Sequence, residues 1–222
     1  MILSCILLSP FLYLNFIYYL SNIMKSYTSG YNLNSIMYFY NSFQILLNLY
    51  MVYGLYHIIP SGIINIPYSN TIEYFVHIHY ISKYIDYLDT FFIILRKKEK
   101  QLSFLHIYHH STIGIIWGFL LYKGHGNGTA AFGCLINSLI HVIMYSHYLI
   151  TSLGINNPYK KYITQLQLLQ FFICLLHSII VIGIEKIVPI EYAYIQVGYQ
   201  IQMLLLFSHF YKKNYSFIKI KS

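Results

Sequence analysis

The sequence predicts an all-α, polytopic membrane protein with seven transmembrane helices. Three observations carry that prediction. Of 222 residues, 57% are apolar and only 9% are charged, whereas an ordinary soluble domain carries about 25% charge; mean hydropathy is +0.54. Seven apolar stretches are each long enough to cross about 30 Å of hydrocarbon. Turn formers fall between these stretches: Ser29-Gly30, Pro60-Ser61-Gly62, Gly124 to Gly128, Asn156-Asn157-Pro158 and Pro189. So little polar surface excludes a disordered chain, a nucleic-acid-binding module and a typical cytosolic enzyme.

The first span, 2–24, has no basic region before it and exceeds a signal-peptide core, so it reads as retained. The others fall at roughly 36–59, 72–95, 104–122, 129–150, 162–184 and 190–211. Seven spans of about 20 residues occupy about 140 residues. Only short loops remain, and 1–222 reads as a single integral membrane domain. Eleven of the fourteen basic residues lie after spans one, three and five or in the C-terminal tail: Lys25, Arg96, Lys97, Lys98, Lys100, Lys160, Lys161, Lys212, Lys213, Lys219 and Lys221. The opposite side holds Lys123 and Lys186, and Lys83 lies inside a span. Positive charge stays cytosolic, so the N-terminus is expected in the lumen and the C-terminus in the cytosol. The net charge of +8 then forms a face apposed to anionic lipid. Cys5, Cys134 and Cys174 are scattered through apolar runs and give neither a disulfide framework nor a zinc spacing. The sequon Asn127-Gly128-Thr129 sits in a very short lumenal loop and carries little weight.

Ionisable groups inside spans are costly and are functional candidates by default. In span three, Lys83, Asp86, Asp89 and Thr90 share an arc of about 120°, and the lysine and carboxylates could neutralise one another. A structural ion-pair lock would leave the same pattern. In span four, His106, His109 and His110 form H-x-x-H-H on an arc of about 100°. Such a cluster suits metal ligation, acid–base work or nucleophilic attack. In span five, Asn137, His141, Met144, Tyr145 and Tyr148 share about 100°, with His147 to one side; part of this stripe could be helix packing. In span six, Thr164, Gln167 and Gln170 lie within about 120°, where glutamines can equally bond neighbouring helices. His57, His77, His79, His125, His177 and His209 are scattered and read as packed or interfacial residues.

H-x-x-H-H also occurs in membrane di-iron desaturases and hydroxylases, which need about eight histidines in three boxes. One box is present here. With His141 it makes four clustered histidines, too few for two irons unless Asp86 and Asp89 join. Iron is disfavoured, and no metal is assigned.

Taken together, the motifs resemble the fatty acid elongase (ELO) family of the endoplasmic reticulum. Its K-x-x-E-x-x-D-T pattern corresponds to Lys83, Asp86, Asp89 and Thr90, with aspartate replacing glutamate. H-x-x-H-H is His106 to His110. N-x-x-x-H-x-x-M-Y-x-Y-Y corresponds to Asn137, His141, Met144, Tyr145, His147 and Tyr148, with His147 replacing a tyrosine. T-x-x-Q-x-x-Q is Thr164, Gln167 and Gln170, and Tyr40-Asn41 through Tyr53 is similar to the family's second span. The likeness covers roughly 30–215, and the chain is short for the family at both ends.

The resemblance implies a very-long-chain 3-oxoacyl-CoA synthase. This acyltransferase condenses a long-chain acyl-CoA with malonyl-CoA to 3-oxoacyl-CoA, CO2 and CoA, and needs no cofactor. It implies six or so helices enclosing an acyl-chain tunnel, closed at the lumenal end and with CoA at the cytosolic mouth. No cysteine sits in a motif, so a neutral imidazole can replace the thiol of soluble condensing enzymes as nucleophile. His109 would attack the thioester in a ping-pong reaction, His141 would hold or receive the acyl unit, and His106 and His110 would orient the ring and donate to oxyanions. Lys83, placed by Asp86 and Asp89, would pair with malonyl carboxylate or CoA phosphate. Asn137, Tyr145 and Gln167 would contact the thioester and pantetheine; Tyr148 and Gln170 complete the substrate-binding set. Expected partners are acyl-CoA, malonyl-CoA, the bilayer, and the reductases and dehydratase of the elongation cycle. A homodimer stays open, and nucleic acid is not a partner. The alternatives are a membrane di-iron fatty acid desaturase or hydroxylase, with iron and oxygen dependence, and a non-enzymatic seven-span carrier, with transport but no turnover.

Overall fold

The computed structural model describes residues 2–58, 62–185 and 189–215, and all regular structure there is helical. The helices are α1 (Ile2–Lys25), α2 (Asn34–Ile58), α3 (Asn70–Ile85), α4 (Tyr87–Leu95), α5 (Phe104–Tyr122), α6 (Ala131–Ser152), α7 (Lys160–Ile184) and α8 (Ile190–Tyr215). Short 3-10 turns cover Glu99–Gln101 and Gly128–Ala130. Pro60-Ser61, Lys186, Lys219 and Lys221 lie outside the described residues, as does the side chain of Cys5.

Each expected span coincides with a helix to within a few residues, except the third. That rod is interrupted at Asp86, which separates α3 from α4. The backbone there stays right-handed helical, with φ −61° and ψ −16°, and the Asp89 amide donates to the Asp86 carbonyl at 3.1 Å. A tightened 3-10 step of this kind keeps the axis running while it changes the register of the side chains around it.

Among the described residues, three helical segments are long and apolar enough to cross a membrane by themselves: Ile6–Lys25, Gly128–Ser152 and Lys160–Ile184. The remaining helices are diluted by polar residues that face inward. In α2 these are Asn41, Gln44 and Asn48, all at most 1% exposed. In α5 they are the three histidines. The outer surface is apolar, with Phe11, Leu12, Phe39, Leu46 and Leu205 all well exposed.

Helix neighbours form a ring. α2 packs along α6, α6 on α7, α7 along α8, α8 on α5, α5 on α3, and α3 returns to α2. α1 lies outside this ring against α5 and α4. One end of the ring is held by Met51, Leu55, Ile72, Val76, Trp117 and Cys134. The opposite side, between α5, α7 and α8, is held by Leu105, Phe171, Tyr199, Met203 and Phe207.

The connections beyond α2 and α5 are pinned by the sequon. Asn127 and Thr129 are buried. The Asn127 side-chain oxygen accepts from the Ser69 amide at 3.0 Å, and its amide nitrogen donates to Glu73. Thr129 Oγ1 donates to Glu185. Gly128 between them has φ +56°, and a Cβ there would come 2.6 Å from the Ile66 carbonyl, so only glycine fits.

Candidate active site

The first half of the site is built on α3 and α4. Ser69 caps α3 by accepting from the Ile72 amide, about four turns before Lys83. Lys83 is 1% exposed and Asp86 3%. The Lys83 ammonium donates to Asp86 Oδ2 at 3.2 Å and to Asn137 Oδ1 at 3.0 Å, so a single cation joins α3 to α6. The other Asp86 oxygen accepts from Gln44 Nε2 at 2.8 Å. The Tyr145 hydroxyl lies 2.7 Å from Asp89 Oδ2 and 3.1 Å from Asp86 Oδ1, and Gln44 and Tyr40 close the network around it. The expected mutual neutralisation of three charges is therefore divided. Lys83 pairs with Asp86, and Asp89 takes its hydrogen bond from Tyr145. His141 Nδ1 stands 4.0 Å from Asp86 Oδ2, beside this network but beyond hydrogen-bond length.

The second half is the histidine cluster in the first two turns of α5. Ser103 caps this helix by accepting from the His106 amide at 3.2 Å. His106 Nε2 lies 2.8 Å from Thr90 Oγ1, which in turn lies 2.7 Å from the Tyr13 hydroxyl. The rings of His106 and His110 are 4.3 Å apart between centroids, and those of His109 and His110 5.6 Å. His109 turns the other way, with Nδ1 3.3 Å from the Tyr199 hydroxyl of α8. Among the described residues, His141 makes no ring contact with the three histidines of α5, and no group of three His, Cys, Asp or Glu side chains is placed to hold a metal ion. The link from the histidine cluster to α6 runs instead through Asn137, which shares a cavity with His109.

That cavity is lined by His109, Asn137, Gln170, Phe171, Tyr199 and Gln200, among others. A second, mostly apolar cavity is lined by Leu120, His125, Thr129, Phe132, His177 and Tyr192. Trp117, Gly133, Cys174 and Gln196 line both, so the two lie side by side.

Gln170 is buried and faces the cavity of His109, whereas Gln167 donates to the Met144 sulfur at 3.6 Å. Thr164 is buried and bonds back to the Lys160 carbonyl. Tyr148 is 38% exposed and presents its ring to the edge of Tyr145, so it stands at the margin of the network. Of the scattered histidines, His125 pairs with Tyr68, His177 with the Ile63 carbonyl, and His79 packs against Trp117; His57, His77 and His209 are exposed.

Two contributors escaped the sequence reading, Tyr13 and Tyr199, while Tyr40 and Gln44 entered it only within the stretch similar to the family's second span. Gln44 carried a usable signal. Asn41, Gln44 and Asn48 recur at three- and four-residue spacing on an otherwise apolar helix, which marks an inward polar stripe. In a chain with 26 tyrosines, Tyr13 and Tyr199 carried none.

Comparison with known proteins places this arrangement in context. The pattern of the GNS1/SUR4 (ELO) family matches residues 3–221. The chain is 47% identical over 212 residues to "Fatty acid elongase 5" of Leishmania major, covering 95% of this chain and 85% of that protein. It is 44% identical over 208 residues to "Fatty acid elongase 4" of Trypanosoma brucei brucei, covering 93% and 82%. Against "Very long chain fatty acid elongase 5" of Mus musculus it is 37% identical over 193 residues, covering 82% of this chain and 64% of that protein.

Proposed function

Because the chain belongs to the ELO (GNS1/SUR4) family and is a fatty acid elongase, a membrane-bound condensing acyltransferase, we propose that it works through an acyl-histidine intermediate on His109. The observation that carries this reading is the position of His109. It alone of the three histidines of α5 lines a cavity, together with Asn137 and Gln170.

A ring nitrogen of His109 attacks the thioester carbonyl; the new C–N bond forms and the C–S bond breaks. CoA leaves as a thiolate and takes a proton from water. Malonyl-CoA then enters, and loss of CO2 leaves the carbanion of acetyl-CoA. The carbanion attacks the acyl carbon, which releases 3-oxoacyl-CoA and restores neutral His109. His106, held by Thr90, and its tilted neighbour His110 steady the ring of His109. Lys83, held by Asp86 and Asn137, supplies the positive charge for malonyl carboxylate or CoA phosphate. Tyr145 keeps Asp86 and Asp89 in place. Asn137 and Gln170 touch the acyl thioester from α6 and α7, with Gln167 and His141 behind them and Tyr148 at the margin.

The two neighbouring cavities, lined by α5, α6, α7 and α8, form the acyl tunnel. All seven helical rods, counting α3 and α4 as one, span the bilayer as a single domain, with the N-terminus lumenal and the C-terminus cytosolic in the endoplasmic reticulum. The reductases and dehydratase of the cycle consume the product. The experiment is an assay with labelled malonyl-CoA and acyl-CoAs of graded length. It is expected to give CO2 release and a product two carbons longer, abolished in His109→Ala. Oxygen-dependent turnover without malonyl-CoA would instead support an oxidase.

A further inference from the structure

We propose that Tyr199 and Thr112 are positioning residues that fix the tautomer of His109, so that Nδ1 carries the ring proton and Nε2 presents its lone pair to the thioester. The inference rests on the reading of His109 as the nucleophile and names which of its two nitrogens reacts.

Thr112 Oγ1 lies 2.8 Å from the Tyr108 carbonyl and 3.4 Å from the His109 carbonyl, both in its own helix. Carbonyl oxygens only accept, so the single proton of the Thr112 hydroxyl is spent within α5. The 3.3 Å contact between Thr112 Oγ1 and the Tyr199 hydroxyl is then a hydrogen bond only with Tyr199 as donor. Tyr199 also has a single proton. Its 3.3 Å contact with His109 Nδ1 therefore has the imidazole N–H as donor and the phenol oxygen as acceptor. This assignment satisfies every contact, whereas Tyr199 donating to Nδ1 would leave the Thr112–Tyr199 contact without a proton or make Thr112 give up its shorter bond. Which ring nitrogen is protonated follows from the bond that the other nitrogen's neighbour makes. Here the chain from the Tyr108 carbonyl through Thr112 and Tyr199 leaves Nε2 unprotonated.

Tyr199 is 7% exposed, sits on α8 and lies outside every motif of the sequence. It also lines the same cavity as His109, so it holds the ring from the wall. During attack by Nε2 the new C–N bond places positive charge on the ring. The Nδ1–H to Tyr199 bond then becomes charge-assisted and stronger. An interaction that strengthens only as charge develops raises turnover rather than ground-state affinity.

The test is the rate of first CoA release when the purified full chain is mixed with palmitoyl-CoA in the absence of malonyl-CoA. Tyr199→Phe is expected to slow this step about tenfold, the effect of one lost hydrogen bond, with its dependence on palmitoyl-CoA concentration unchanged. Thr112→Val is expected to slow it in the same way and Thr112→Ser to restore it. The double variant Thr112→Val/Tyr199→Phe is expected to be no slower than Tyr199→Phe alone, since both act through one bond. Should Tyr199→Phe not fold, Thr112→Val against Thr112→Ser decides alone. Wild-type release rates in Tyr199→Phe or Thr112→Val, with none in His109→Ala, overturn the positioning role and leave the nucleophile standing. Release at the wild-type rate in His109→Ala removes the nucleophile itself.

Discussion

Thr90 Oγ1 and His106 Nε2 lie 2.8 Å apart. This contact ties the last residue of the Lys83–Thr90 motif to the first residue of the histidine cluster. Thr90 is fully buried and has Tyr13 on its other side, so α1, α4 and α5 meet at one hydroxyl. Thr90→Val keeps the shape and removes the bond. Condensation is expected to fall about tenfold, as for one lost hydrogen bond, while the protein still folds. Initial rates with labelled malonyl-CoA, alongside a thermal melt in detergent, check this; an unchanged rate would mean that His106 orients without Thr90.

The Lys83–Asp86 pair is buried on both sides. Lys83→Met leaves the Asp86 carboxylate uncompensated and is expected to cost about 3–5 kcal/mol. Lys83→Met combined with Asp86→Asn is expected to recover much of the stability and none of the activity, because the cation for the malonyl or CoA anion stays missing. Unfolding midpoints and condensation rates of the two variants separate the structural from the catalytic role of the lysine.

Tyr145→Phe withdraws the donor shared by Asp89 and Asp86. A buried acceptor left without its partner costs about 1–3 kcal/mol. The expected result is a lower unfolding midpoint, measured in detergent. The network behind Tyr145 also sets Lys83, so the concentration of malonyl-CoA needed for half-maximal rate is expected to rise.

These networks show how far the sequence reads and where it stops. Helix positions were legible because apolar length is a strong signal, and Lys83, Asp86, His109 and Asn137 stood out because polar groups in apolar helices are rare. The break at Asp86 was not, since a single 3-10 step leaves no compositional mark. Partner choice was also invisible. Periodicity places Asp89 on the Lys83 face, but it cannot say that Tyr145, 56 residues later, would claim it. His141 illustrates the same limit. It shares an arc with Asn137, yet it packs beside Asp86 while Asn137 opens onto the cavity of His109.

Gly133 lines both cavities, and a Cβ there would meet Trp117 at an ordinary 3.6 Å. Gly133→Ala is expected to fold normally and to shift products slightly toward shorter chains. Gly133→Leu is expected to fill the space where the two cavities meet, so that elongation stops at shorter acyl chains if the acyl chain runs through both. Chromatography of the product distribution from acyl-CoAs of ten to twenty-four carbons checks both; unchanged product lengths in Gly133→Leu would place the acyl chain elsewhere.

Covalent acylation of His109 is tested most directly by intact-mass measurement of the purified chain after incubation with a long-chain acyl-CoA alone. The expected result is a mass increase equal to one acyl group, discharged by malonyl-CoA and missing in His109→Ala. An enzyme that condenses both substrates yet never gains that mass, or gains it equally in His109→Ala, would contradict it.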